Sequence, residues 1–237
     1  MTEQELLRRS TDALCPLFER SDPTDLDLLA DYNFGPGVRG KNCAELVAQI
    51  RYNGSNDIAH LLGRDAEYLD VVRHVAEKMN IKWSRHEDEE TIEKRILGEV
   101  FSRAWQRMSP AEREPVKKLF ADQGLETEYI SRLLVEGTLA DFMPTVGYLV
   151  TWNVARIVAV AAARGAGVEA LGGLVAGGLN LLLGPLGIML GMIILAVDLA
   201  GPAYRKIIPT VLQVAYLRQK AALAELPEGG AAPGGVN

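Results

Sequence analysis

Three observations predict an all-α fold, a multi-helix bundle with a Gly-rich apolar helical hairpin near the C-terminus. Apolar residues recur at three- and four-residue spacing through most of the 237-residue chain. No segment sustains the apolar–polar alternation of a half-buried strand. Residues 170–197 then run for 28 positions without a charge, bounded by Glu169 and Asp198.

The elements follow in order. From Glu3 to Glu19, Leu6, Leu7, Ala13, Leu14, Leu17 and Phe18 make the apolar side of a first helix. Ser21-Asp22-Pro23-Thr24-Asp25 has the capping chemistry of a short second helix through Leu29, and Asn33-Phe34-Gly35-Pro36-Gly37 breaks it. Asn42 caps a third helix with Cys43, Leu46, Val47 and Ile50 inward, and Tyr52-Asn53-Gly54-Ser55 is expected to end it as a turn. Residues 56–79 supply one or two helices divided at Gly63. The acids before Thr91 open another, whose stripe is Ile92, Ile96, Leu97, Val100, Phe101, Ala104 and Trp105. Ser109-Pro110-Ala111-Glu112 is the clearest helix start, with a cap, proline at the first position and Glu three residues after the cap. Tyr129, Ile130, Leu133, Leu134 and Leu139 face inward on the next helix, and residues 145–163 read as a core helix with Arg156 on its wet side, the alternative being a membrane crossing that would place Arg156 at depth. A last amphipathic helix ends at Lys220, and the Gly/Pro-rich tail 221–237 is expected to be disordered.

Charge divides the chain. Residues 1–147 hold 19 Lys or Arg and 27 Asp or Glu, whereas residues 148–237 hold six and four. The division gives a small N-terminal helical region (1–50), a charged helical body (51–147), an apolar part (148–220) and a tail (221–237). A net charge of -6 excludes a dedicated nucleic-acid binder, which carries a basic domain. The start MTEQELLRRSTD lacks the apolar run of a signal peptide. A cytoplasmic location, with association to the inner membrane, is therefore expected.

The uncharged run exceeds the roughly 18 apolar residues of a transmembrane candidate. Gly184-Pro185 splits it, and each half of about 14 residues would reach only about 21 Å as helix, short of a hydrocarbon core of roughly 30 Å. The geometries left are one long span kinked at Pro185, a re-entrant hairpin, or a hairpin buried inside a soluble body. Gly173 and Gly177 on one side of the break, and Gly187 and Gly191 on the other, repeat a spacing at which helix backbones approach closely. Arg205, Lys206, Arg218 and Lys220 follow as basic flanks of the kind found at a cytoplasmic membrane edge.

Catalytic patterns are missing from the sequence. His60, His74 and His86 have no metal-ligand spacing, and there is no phosphate loop, dinucleotide fingerprint or nucleophile elbow. Cys15 and Cys43 are too few for a disulfide framework or a four-cysteine zinc site and read as buried thiols. No catalytic residue, metal or cofactor is expected, and a hydrolase would need Asp57, His60 and His74 to meet.

Two stretches carry a resemblance: Tyr52-Asn53-Gly54-Ser55-Asn56-Asp57-Ile58-Ala59-His60-Leu61-Leu62-Gly63, with Tyr68, Val71, Val72 and Met79 behind it, and Asp198 to Arg218 including Pro209. Both resemble signatures of the uncharacterised bacterial YaaW family, and Asp25 to Leu29 resembles the opening of a small domain that precedes them. The family implies no reaction. Asn53, Gly54, Ser55 and Asn56 read as a structural joint, with a docking corner for a partner as the functional alternative. The expected function is non-enzymatic: association with the cytoplasmic membrane through the Gly-rich hairpin, inserting into or perturbing it. The alternative is a soluble interaction module whose hairpin is core, a homo-oligomer interface or the seat of a protein partner.

Overall fold

Local capping chemistry starts most of the helices. In the computed structural model, residues 2–62, 66–122, 128, 131–132, 139, 143, 148–165 and 204–225 are described, excepting the side chains of 56–62, 119, 148–149, 161 and 164–165. Thr2 and Glu5 form a capping box on α1 (Glu3–Asp12), and Ser109 and Glu112 form the predicted one on α7 (Pro110–Ala121). Asn42 Oδ1 accepts the Glu45 amide at 3.0 Å to open α4 (Cys43–Leu62). Asp88 accepts the Thr91 amide at 2.9 Å to open α6 (Glu89–Arg107). α2 (Leu14–Glu19), α3 (Pro23–Phe34), α5 (Tyr68–Lys78), α8 (Tyr148–Gly165) and α9 (Tyr204–Ala224) complete the elements. Among the described residues there is no strand.

The first expected helix is two. Pro16 has no amide to continue the α1 ladder, so the chain restarts after Ala13. α3 extends past Leu29 to Phe34 and stops at Gly35, whose φ of 114° suits glycine. α4 runs without a break through Asn53-Gly54-Ser55 and through the expected boundary at residue 50. α9 continues past Lys220 to Ala224, and Glu225 pairs with Arg20 at 2.9 Å, so the start of the expected tail is ordered. Residues 226–237 lie outside the described residues.

α5 and α6 run in the same direction. Tyr68, at the start of α5, reaches Glu93 near the start of α6 at 2.8 Å, and Arg103 near the end of α6 donates to the Met79 carbonyl at 2.7 Å. The chain between them must return along α5. It turns at Asn80 (φ 59°), where the Ile81 amide bonds the Ala76 carbonyl at 2.8 Å and the Asn80 amide bonds Glu77 at 3.0 Å, a Schellman ending. Arg73 holds the return with a bond to the Arg85 carbonyl at 2.9 Å and a cation–π contact on Trp83.

α9 runs against that pair, with Arg218 at Glu93 and Tyr204 stacked on His74. Residues 207–217 of α9 are all buried, Thr210 and Gln213 included, so this stretch is covered on every side rather than on one face as an amphipathic helix would be, whereas Arg205 and Lys206 before it are exposed. Burial of each large apolar side chain contributes about 1.5–3 kcal/mol. α8 packs on α9 through a Trp152–Tyr216 stack. Its Val154, Ile157, Val158 and Val160 are buried and Arg156 is half-buried, giving the expected core helix.

Candidate functional site

The signature at residues 53–55 lies in the interior of α4, and each residue there meets a different part of the chain. Asn53, 4% exposed, donates from Nδ2 to the Asn33 carbonyl at 3.3 Å and to Asn33 Oδ1 at 3.0 Å, and its Oδ1 accepts from Gln49 at 3.2 Å. Asn33 donates to Thr210 Oγ1 at 2.9 Å, and the Thr210 hydroxyl donates to the Lys206 carbonyl at 2.7 Å. One buried polar chain thereby joins α4, α3 and α9. Pro209 beside it has no amide to give the helix, and Thr210 supplies a side-chain donor at that turn.

Gly54 is where α4 lies on α5. A Cβ there would fall inside the contact radius of Val71 Cγ2, and buried, β-branched Val71 has little freedom to turn aside. Ser55 Oγ accepts the Ala66 amide at 3.1 Å. The three residues are the joint the sequence suggested, but as a helix crossing rather than a turn. Asn, Gly and Ser are weak helix formers, and tertiary partners override that preference here. The Asn56 side chain lies outside the described residues. Tyr52, 59% exposed, is the large apolar side chain that faces solvent among the described residues. Extending the Leu46 and Ile50 stripe through Asn53 places it outward, a signal hidden by reading residues 52–55 as a turn.

A second cluster secures the other end of α9. Arg218 Nε donates to Glu93 Oε2 at 2.9 Å and Nη2 to Oε1 at 3.3 Å, with Glu89 3.7 Å away. The Tyr68 hydroxyl donates to the same Glu93 carboxylate. Burial pushes the Glu93 carboxyl above its ordinary range, although Arg218 and Tyr68 draw it down. Lys220 pairs with Asp22 and, at 2.8 Å, with Asp25, which is 3% exposed and whose carboxyl burial also pushes up. These contacts revise the basic flanks expected from sequence: Arg218 binds a carboxylate of the body and Lys220 binds two of the N-terminal region. The carboxylates lie more than a hundred residues earlier, so spacing gave no sign of them.

The cysteines also differ from expectation. Cys15 and Cys43 are joined in a disulfide, Cα atoms 5.3 Å apart, tying α2 to the start of α4, and both are partly exposed. His74 stacks on Tyr204 with ring centroids 5.4 Å apart, and its Nε2 meets the Tyr204 hydroxyl. The side chains of Asp57 and His60 lie outside the described residues, as do Gly173, Gly177, Gly184, Pro185, Gly187 and Gly191. No group of three or more His, Cys, Asp or Glu among the described residues could hold a metal ion. Among the same residues, no helix is long and apolar enough to cross a membrane.

No family model matches the chain. No solved structure matches it either. A UPF0174 protein of Helicobacter pylori strain J99 is 29% identical over 187 residues, spanning 76% of this chain and 72% of that protein. The chain is thus similar, at a distance, to a protein of an uncharacterised family, and the likeness brings no activity with it.

Proposed function

We propose that this chain is a non-enzymatic helical protein of the YaaW type that associates from the cytoplasmic side with the membrane through residues 170–197, inserting into or perturbing the bilayer. The observation that carries the reading is the 28-residue uncharged run, set between two helices that the body itself buries. α8 and α9 are consumed by packing, so membrane contact falls to the sequence between them. The Gly184-Pro185 break within that run suits a hairpin, and its Leu and Ile side chains require lipid or protein cover.

Flotation of the purified full chain with phospholipid vesicles tests the reading. The protein should rise with the vesicles, and Ile188→Arg should leave it at the bottom. A charge at bilayer depth costs about 2.5–3.5 kcal/mol on the insertion scale. A wild-type chain that stays at the bottom, and fractionates wholly with soluble proteins, would favour an interaction module whose apolar run is core or an interface between copies.

A further inference from the structure

The Cys15–Cys43 disulfide sits where thiol–disulfide exchange is favoured. Cys43 is the first residue of the 20-residue helix α4, immediately after the Asn42 cap. The amides of a first helical turn have no acceptor within the helix and stabilise negative charge beside them, which lowers the pKa of a thiol there. Glu45, two residues further along the same turn, is paired with Lys41 at 2.7 Å, which offsets its charge. Cys15 is the second residue of α2, but that helix has only six residues, no side-chain cap and a proline, Pro16, in its first turn, so it presents fewer aligned amides than α4. Both residues are partly exposed rather than buried.

We propose that Cys15–Cys43 is a reversible thiol–disulfide exchange site, opened by a thiol reductant of the glutathione or dithiol class, with Cys43 as the leaving thiolate. The incoming thiolate forms a bond to Cys15 Sγ as the Cys15–Cys43 bond breaks, and the electron pair of that bond departs on Cys43. A second reductant thiolate then attacks the reductant sulfur of the mixed disulfide. Cys15 is released as a thiolate that takes a proton from water, and the reductant leaves as its own disulfide. Two reductant thiols are oxidised and one protein disulfide is reduced. A leaving thiol of lower pKa leaves faster, which assigns the direction of attack. In a reducing compartment, disulfides that form are mostly transient or redox-sensing, so there the site would respond to changes in the thiol pool.

The test equilibrates the full-length chain in buffers of reduced and oxidised glutathione, traps it by alkylation and counts modified cysteines by mass. The expected result is a single two-thiol transition that follows the ratio of reduced glutathione squared to oxidised glutathione. A protein that stays oxidised in excess reduced glutathione alone would overturn the proposal in favour of a structural staple. One that keeps two free thiols in oxidised glutathione would overturn it outright. The rate of alkylation against pH in Cys15→Ser should show a midpoint for Cys43 about one pH unit or more below that for Cys15 in Cys43→Ser. Equal midpoints would remove Cys43 as the leaving group.

Discussion

At Gly54 the absence of a side chain lets two helices touch, and the consequence is measurable at single residues. Gly54→Ala should destabilise the protein by about 1–3 kcal/mol, the usual cost of overpacking. Val71→Ala in the same chain removes the obstructing methyls, so the double variant should lose less than the sum of the singles in chemical denaturation. Additive losses would mean that the crossing is not the reason for glycine. Asn53→Leu removes a donor that Asn33 uses inside the core, and leaving a buried polar group without its partner costs about 1–3 kcal/mol. Asn80 makes the opposite case, because it occupies a left-handed conformation that glycine adopts without steric cost. Asn80→Gly should therefore be neutral or slightly stabilising, whereas Asn80→Val should destabilise. The same chemical denaturation checks both.

α9 is held at the element scale by charges the core cannot do without. Arg218→Met leaves Glu93 buried without its cation, and breaking such a pair costs about 3–5 kcal/mol. A change of both partners, Glu93→Leu with Arg218→Met, should recover most of the loss. The pH dependence has a definite sign. Burial raises the Glu93 carboxyl above its ordinary 4.5 already, and loss of Arg218 raises it further. A carboxyl raised on folding contributes stability that is complete below its unfolded pKa and lost as pH rises through its folded pKa. The deficit of Arg218→Met should thus be small near pH 4.5 and grow toward neutrality. A deficit independent of pH would place the effect in lost packing of the arginine stem. Between α2 and α4, reduction of the disulfide releases a sequence separation of 28 residues, and chain entropy assigns such a loop about 3–4 kcal/mol. Comparing urea unfolding with and without reductant measures it.

Across the whole molecule, the parts legible in sequence are those fixed by local chemistry, such as the capping box at Ser109 and the stop at Gly35. Parts decided by distant partners were not legible. The helix through Asn53-Gly54-Ser55 depends on Asn33 and Val71, the role of Arg218 depends on Glu93, and the pairing of Cys15 with Cys43 depends on how α2 meets α4. The apolar run is the reverse case, since its meaning rests on composition rather than contacts. Its glycines are open to test: if close backbone approach holds the run together, Gly177→Leu and Gly187→Leu should lower the melting temperature while Gly229→Leu is silent. Equal melting of all three would leave the run as a slack connector. Membrane association through this run turns on where residue 188 sits. A fluorophore placed on cysteine at Ile188, in a chain whose Cys15 and Cys43 are replaced by serine, should be shielded from a water-soluble quencher with or without vesicles. It should be quenched by brominated acyl chains once vesicles are added; ready quenching from water throughout, with no response to brominated lipid, would contradict membrane association through this segment.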